Sequence, residues 1–230
     1  MKSIKMTGVF VFLLSFFCLG WLHQPAAGQD TEMERVETAI RVLKEMVDKP
    51  QGGVPPSIMR KAQGLAVIPK VIRAAYGIGG QYGKGLVMVR RDTGEWSNPC
   101  FIRLAGGSLG LQIGVQEADI LLVFKSREGV EDLTQGKVTL GADARVTAGP
   151  QSRSAEANTD LEFKEEIYSY SQSRGLFAGI SVQGASLLID EKANGIFYGN
   201  PTISAREILV KGQGQAPAIV QELKKLLDSF

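Results

Sequence analysis

The pentapeptide Gly106-Gly107-Ser108-Leu109-Gly110 has the G-x-S-x-G spacing that holds a serine nucleophile on a tight strand-to-helix turn. Such a serine attacks only when a base takes its proton, normally a histidine later in the chain. The only histidine is His23, upstream of the motif in an apolar N-terminal segment. No serine is followed three places on by lysine, so the Ser-x-x-Lys arrangement is missing too. Without a base the motif reads as strand glycine, and a binding or structural role ranks ahead of catalysis.

The run Gly77-Ile78-Gly79-Gly80-Gln81-Tyr82-Gly83-Lys84-Gly85 invites a nucleotide reading and fails it. Tyr82 stands where the third glycine of G-x-G-x-x-G belongs, and Gly85 where the P-loop needs a hydroxyl residue. Imidazole and paired thiols are lacking for zinc, and no D-x-[DN]-x-[DN]-G loop offers calcium a site, so no cofactor or metal is expected. The acidic pairs Glu131-Asp132 and Glu165-Glu166 read as solvated charge. What remains is basic. Between Ser57 and Arg103 lie Arg60, Lys61, Lys70, Arg73, Lys84, Arg90, Arg91 and Arg103, against Asp92 and Glu95 only. Between Gln116 and Tyr170 the acids dominate, eleven to six.

That imbalance is local. The chain has 230 residues and opens with Lys2 and Lys5, an uncharged run over Met6–Leu22, and small residues before Gly28. This is the three-part pattern of an export signal cleaved after Gly28, giving a signal peptide over 1–28 and one domain over 29–230. The alternative is an uncleaved anchor, for which the run is short. Without Lys2 and Lys5 the remainder holds 24 basic and 24 acidic residues, so no whole-molecule field draws nucleic acid. Cys100 alone follows the leader, which permits no internal disulfide.

The elements that position these residues read as α+β. Thr31-x-x-Glu34 is a capping box, and Met33, Val36, Ile40, Leu43 and Val47 draw one helical stripe. A second short helix fits 56–63, started by Pro56 and stopped by Gly64. From Leu65 to about Ile189 the pattern is strand and glycine; Ser108–Val115 alternates strictly, as a half-buried strand does. The segments Ile78–Val87, Ile113–Leu122 and Ile180–Ile189 share an outline that predicts three related hairpins, with another turn at Asp92-Thr93-Gly94. Ser204-x-x-Glu207 caps a short helix, and Pro217 starts a last one with a stripe of Val220, Leu223, Leu227 and Phe230. The expected architecture is an antiparallel, glycine-rich β-sheet or partly closed barrel built of hairpins, flanked by N- and C-terminal amphipathic helices.

From Val36 to Phe230 the chain resembles the SYLF domain family, as an exported bacterial member would. The resemblance rests on Lys61-Ala-Gln-Gly-Leu-Ala-Val-Ile-Pro-Lys70, the Gly77–Gly85 run, Gly107-Ser-Leu-Gly-Leu-Gln-Ile-Gly114, Gly141-Ala-Asp-Ala144 and Gly149-Pro150. It continues through Arg153-Ser-Ala-Glu-Ala157, Tyr168-Ser-Tyr-Ser171 and Ser173-Arg-Gly-Leu-Phe-Ala-Gly179. It implies lipid binding, notably of phosphoinositides, actin-filament binding in fungal members, and no enzyme activity. Eukaryotic members use a basic N-terminal helix, whereas here 30–49 holds six acids against four bases, so the helix is expected to pack on the domain instead. An export signal leads away from cytosolic actin and toward a periplasmic or secreted, membrane-associated protein. The leading expectation is binding of anionic phospholipid at a membrane surface, with Lys61, Lys70, Arg73 and Lys84 as phosphate contacts and Arg153 and Arg174 behind them. The alternatives are a structural or protein-interaction module of the cell envelope with an envelope protein partner, and a carrier enclosing an apolar ligand.

Overall fold

Strands with aliphatics at every position must bury both faces, and the two ends of the first strand have this composition. The computed structural model describes residues 27–47, 53–126, 128–149, 167–173, 176–177 and 181–230. Strand β1 (Gly64–Val89) pairs antiparallel with β2 (Cys100–Phe124) over most of its length, from Gly64↔Phe124 to Val87↔Cys100. The connection turns at Asp92-Thr93-Gly94 as expected, with Gly94 at φ 85° and an Arg90↔Trp96 bridge below it.

Two of the three expected hairpins do not form; the third, Ile180–Ile189, begins outside the described residues, and within them a turn at Gln183-Gly184 leads into a strand over Ala185–Ile189. Ile78–Val87 and Ile113–Leu122 lie inside β1 and β2, which run on without a turn. The ribbon itself bends instead. Ala75 pairs with Gly114 and Gly77 with Gly110, so Leu111, Gln112 and Ile113 on the outer strand arc around Tyr76 on the inner one. The bend lays the return limb of β1 against its outgoing limb. The Arg90 N–H donates to the Gln63 carbonyl (2.8 Å), and a Cβ on Gly85 would strike the Val67 carbonyl oxygen and lie 2.8 Å from Ile68 Cα. The glycines that resembled a phosphate loop admit backbone to backbone.

The outer edge of β2 is shared at its two ends. Its Ile102–Gly106 segment pairs with β7 (Ala185–Ile189), and its Asp119–Phe124 segment with β5 (Ile167–Ser173). Strand β3 (Lys137–Thr139) adds to β7, β4 (Val146–Ala148) runs parallel to β5, and β6 (Leu176–Phe177) pairs with the end of β5. The outermost strands β3 and β4 meet at a Leu140↔Ala144 bridge, so the sheet is a partly closed, mostly antiparallel barrel.

One face of the sheet looks into this barrel, where Ile68, Val87, Ile102, Leu122 and Leu187 are buried together. These side chains pack against one another as a core. Helix α3 (Glu128–Thr134), unforeseen in a stretch read as strand, adds Val130 and Leu133 to that core, and α5 (Ala205–Leu209) adds Ile208 and Leu209. The other face carries α1 (Ala27–Val47), α2 (Pro56–Lys61), α4 (Glu191–Tyr198) and α6 (Ala218–Asp228). The α1 stripe Val36, Ile40, Leu43 and Val47 is buried there, as are Val220, Leu223 and Leu227 of α6. Helix α1 begins four residues before Thr31, which is therefore no N-cap; Pro25 is the nearest residue that would halt it. The capping box at Ser204 and Glu207 forms as expected.

Candidate functional site

Alternation along the return limb of β1 points Leu86 and Met88 at the helices, and Lys84 and Tyr82 continue that face beyond them. Lys84 pairs in register with Arg103 on β2, so two cations stand side by side. The start of α4 closes the space in front of them. Tyr82, Lys84 and Arg103 with Ile189, Asp190, Glu191 and Lys192 line an open cleft of about 560 Å³. Asp190 fixes that helix start: it is the N-cap, accepts from the Ala193 N–H (3.4 Å), and donates its own N–H to Phe101 O (2.9 Å).

A buried ion-pair group backs the cleft. Arg35 of α1 donates from Nη2 to Glu32 Oε1 at 3.2 Å and places Nη1 2.8 Å from Glu32 Oε2, close but out of line for a hydrogen bond. The same Nη1 is 3.9 Å from Asp190 Oδ2, and Arg103 Nε approaches that oxygen at 4.0 Å. The guanidinium carbon of Arg35 lies 5.2 Å from the centre of the Phe101 ring, within cation–π range. Burial raises the Glu32 carboxyl above its ordinary value, Arg35 opposes that rise, Asp190 adds to it, and Lys84 opposes it. Glu32 and Asp190 are thus held by cations and a helix end rather than presented to a substrate. The lining holds three cations, Lys84, Arg103 and Lys192, against two acids, Asp190 and Glu191, a surplus of one positive charge. The arrangement favours an anion.

The structure does not gather the predicted basic residues at one point. Lys84 lines the cleft. Lys70 is exposed on the adjacent limb, which Gly83 brings close: a Cβ there would lie 3.3 Å from Val71 Cα. Lys70 occupies a bulge at φ 48°, and its N–H is held by Asp119 Oδ1 at 2.9 Å. Arg73, half-buried, follows on the same limb opposite Gln116. Lys61 is exposed at the end of α2, before β1 begins, and six strand residues (about 20 Å) separate Gly64 from Lys70. Arg153 and Arg174 lie outside the described residues, as do Glu165 and Glu166; Asp132 is exposed. Ser108 sits in the middle of β2, not at a strand-to-helix turn, so the elbow geometry is absent. Among the described residues no three His, Cys, Asp or Glu side chains gather as a metal would require, and no helix is long and apolar enough to cross a membrane.

Sequence reasoning missed Asp190, Lys192, Arg35 and Glu32. A signal for the first two existed: Asp190 followed by Glu191, with Gly199 closing the segment at φ 62°, is a helix start and stop. Nothing in the local sequence joins Arg35 to Asp190, because they meet only when α1 packs beside α4.

Residues 105–230 match the family described as Ysc84, Las17-binding protein actin regulator. The SH3 domain-containing YSC84-like protein 1 of Xenopus laevis is 36% identical over 198 residues, which is 84% of this chain and 58% of the relative. Protein YSC84 of Saccharomyces cerevisiae is 35% identical over 179 residues, 76% of this chain and 38% of its own length. The human YSC84-like protein 1 is 33% identical over 203 residues, 87% of this chain and 58% of the relative. The chain thus spans between about two fifths and three fifths of these relatives. The motifs read from the sequence, the curled glycine-rich sheet with helices at both ends, and these matches agree: the chain belongs to the Ysc84, or SYLF domain, family.

Proposed function

We propose that this protein is a non-enzymatic module that binds anionic phospholipid at a membrane surface. The observation that carries the reading is the convergence of Lys84, Arg103 and Lys192 on one open cleft, with Lys70 on the limb beside it. Its volume suits a phosphorylated headgroup, and bidentate or paired cations are the usual phosphate contacts. Each basic residue at an anionic surface contributes about 1 kcal/mol, so three or four give weak, reversible attachment. Co-sedimentation with vesicles tests this. Recovery with phosphatidylserine or phosphoinositide vesicles and not with phosphatidylcholine supports it; equal recovery with both, or with neither, overturns it. Lys84→Glu is expected to reduce recovery about fivefold or more while leaving the fold intact.

The printed names of the relatives favour a second reading, a protein-docking module whose partner belongs to the actin-regulating class. It predicts specific capture of a protein and indifference to headgroup. We place the protein outside the cytoplasm, periplasmic or secreted, on the strength of the leader read in residues 1–28, and that placement argues against actin as a partner. Actin co-sedimentation decides directly: pelleting of this chain with filaments would favour the docking reading over the lipid one.

A further inference from the structure

Among the described residues, the bent ribbon beyond the pairings with β7 at Gly106 and with β5 at Asp119 has no further strand partner and forms a tip. The tip comprises residues 72–80 and 106–116, and Arg73 is its only charged residue. Ile72 is 50% exposed and Val115 75%, and their register places them together. Ile72 pairs with Glu117 and Ala74 with Val115, so the two aliphatic side chains are diagonal neighbours on one face. Tyr82, 47% exposed, continues the same face on the return limb toward Lys84. Exposed aliphatics, an aromatic and a cation sharing one face match the composition of a membrane-interface surface.

We infer that the face of the tip carrying Ile72, Val115 and Tyr82 lies in the apolar boundary of the membrane, while Lys70 and Lys84 meet the anionic headgroups. The inference rests on the lipid-surface reading and adds to it the inserting element. Charge at the base of the tip is complementary: Lys70, Arg73 and Lys84 stand against Glu117 and Asp119, and Asp119 is already engaged by the Lys70 N–H.

The test uses a polarity-sensitive fluorophore on Val115→Cys and Ile72→Cys in a Cys18→Ser background, with Gln221→Cys on α6 as the distant control; Cys100 is buried. On phosphatidylserine vesicles, emission is expected to rise at positions 72 and 115, to be quenched by spin-labelled lipid chains, and to stay unchanged at 221. Val115→Asp, at a site already exposed, should keep the native circular dichroism yet weaken vesicle binding by about tenfold. Sedimentation with vesicles but no rise at 72 or 115 overturns the insertion and leaves the lipid-surface reading standing. Failure to sediment overturns both.

Discussion

Asn194 has no exposed surface, and its amide substitutes for a strand that has run out. Strand β7 ends at Ile189, opposite Ile102; the Asp190 N–H still reaches Phe101 O, but the Phe101 N–H has no backbone partner there. Asn194 Oδ1 accepts the Phe101 N–H at 2.8 Å, and its Nδ2 donates to Phe101 O at 3.3 Å and to Cys100 Sγ at 3.4 Å. Asn194→Leu leaves a buried N–H unpaired and is expected to cost about 2–3 kcal/mol, read as a lowered urea midpoint. Cys100 beside it is sealed as well. Burial pushes its thiol from 9.0 up to about 12, with the Asn194 contact working in the opposite direction. Native protein near neutral pH should therefore leave Cys100 unalkylated by iodoacetamide, with the Cys100 peptide modified only in denaturant. Because the folded value is the raised one, the thiol's contribution to stability is complete below pH 9.0 and declines as pH rises toward about 12. That slope is about 1.4 kcal/mol per pH unit, and Cys100→Ala should abolish it in denaturation curves taken across that range.

At the scale of elements, the barrel depends on one strand folding back on itself. Gly85 is the point of closest approach, and a Cβ there meets the backbone of Val67 and Ile68, which cannot step aside as a flexible side chain would. Gly85→Ala should separate the limbs, with a loss of several kcal/mol or insoluble expression. Gly94 is the contrast. Its φ is 85°, but nothing lies within 4 Å of an added Cβ, so Gly94→Ala costs only the left-handed backbone strain, about 1–2 kcal/mol. Thermal denaturation of the two variants side by side separates crowding from backbone strain; equal losses would contradict the fold-back. The helices were the more legible elements. The α1 and α6 stripes, the Ser204 box and the Pro56 start all appear where periodicity and caps put them. Helix α3 was hidden because it is only seven residues long and sits inside strand-like sequence. The false hairpins arose from reading each glycine as a turn, when the bend consumes three outer residues against one inner residue.

At the scale of the whole molecule, the candidate site has cations without a net field. The chain after Gly28 is neutral, so the proposed membrane attachment depends on Lys70, Lys84 and their neighbours facing one surface. Rising salt should weaken vesicle recovery in proportion to those few contacts, while an inserted tip leaves a salt-resistant remainder. The proposed leader would set which membrane the protein meets. N-terminal sequencing of protein recovered from cells is expected to read Gln29 first; an intact Met1 would indicate a retained anchor.

The residue order by itself determined that no histidine serves Ser108, that the helices at both ends are amphipathic, that the middle is glycine-rich strand, and which family the chain resembles. These depend on composition and on short-period patterns, which a chain carries before it folds. Only the tertiary structure decided that β1 doubles back, that Lys84 meets Arg103, Asp190 and Lys192 at one cleft while Lys61 stays apart, and that Arg35 backs that cleft. Those neighbours are far apart along the chain. What joins them is a bend made where glycines let two backbones touch, and a helix docked across it, and neither leaves a local period to read.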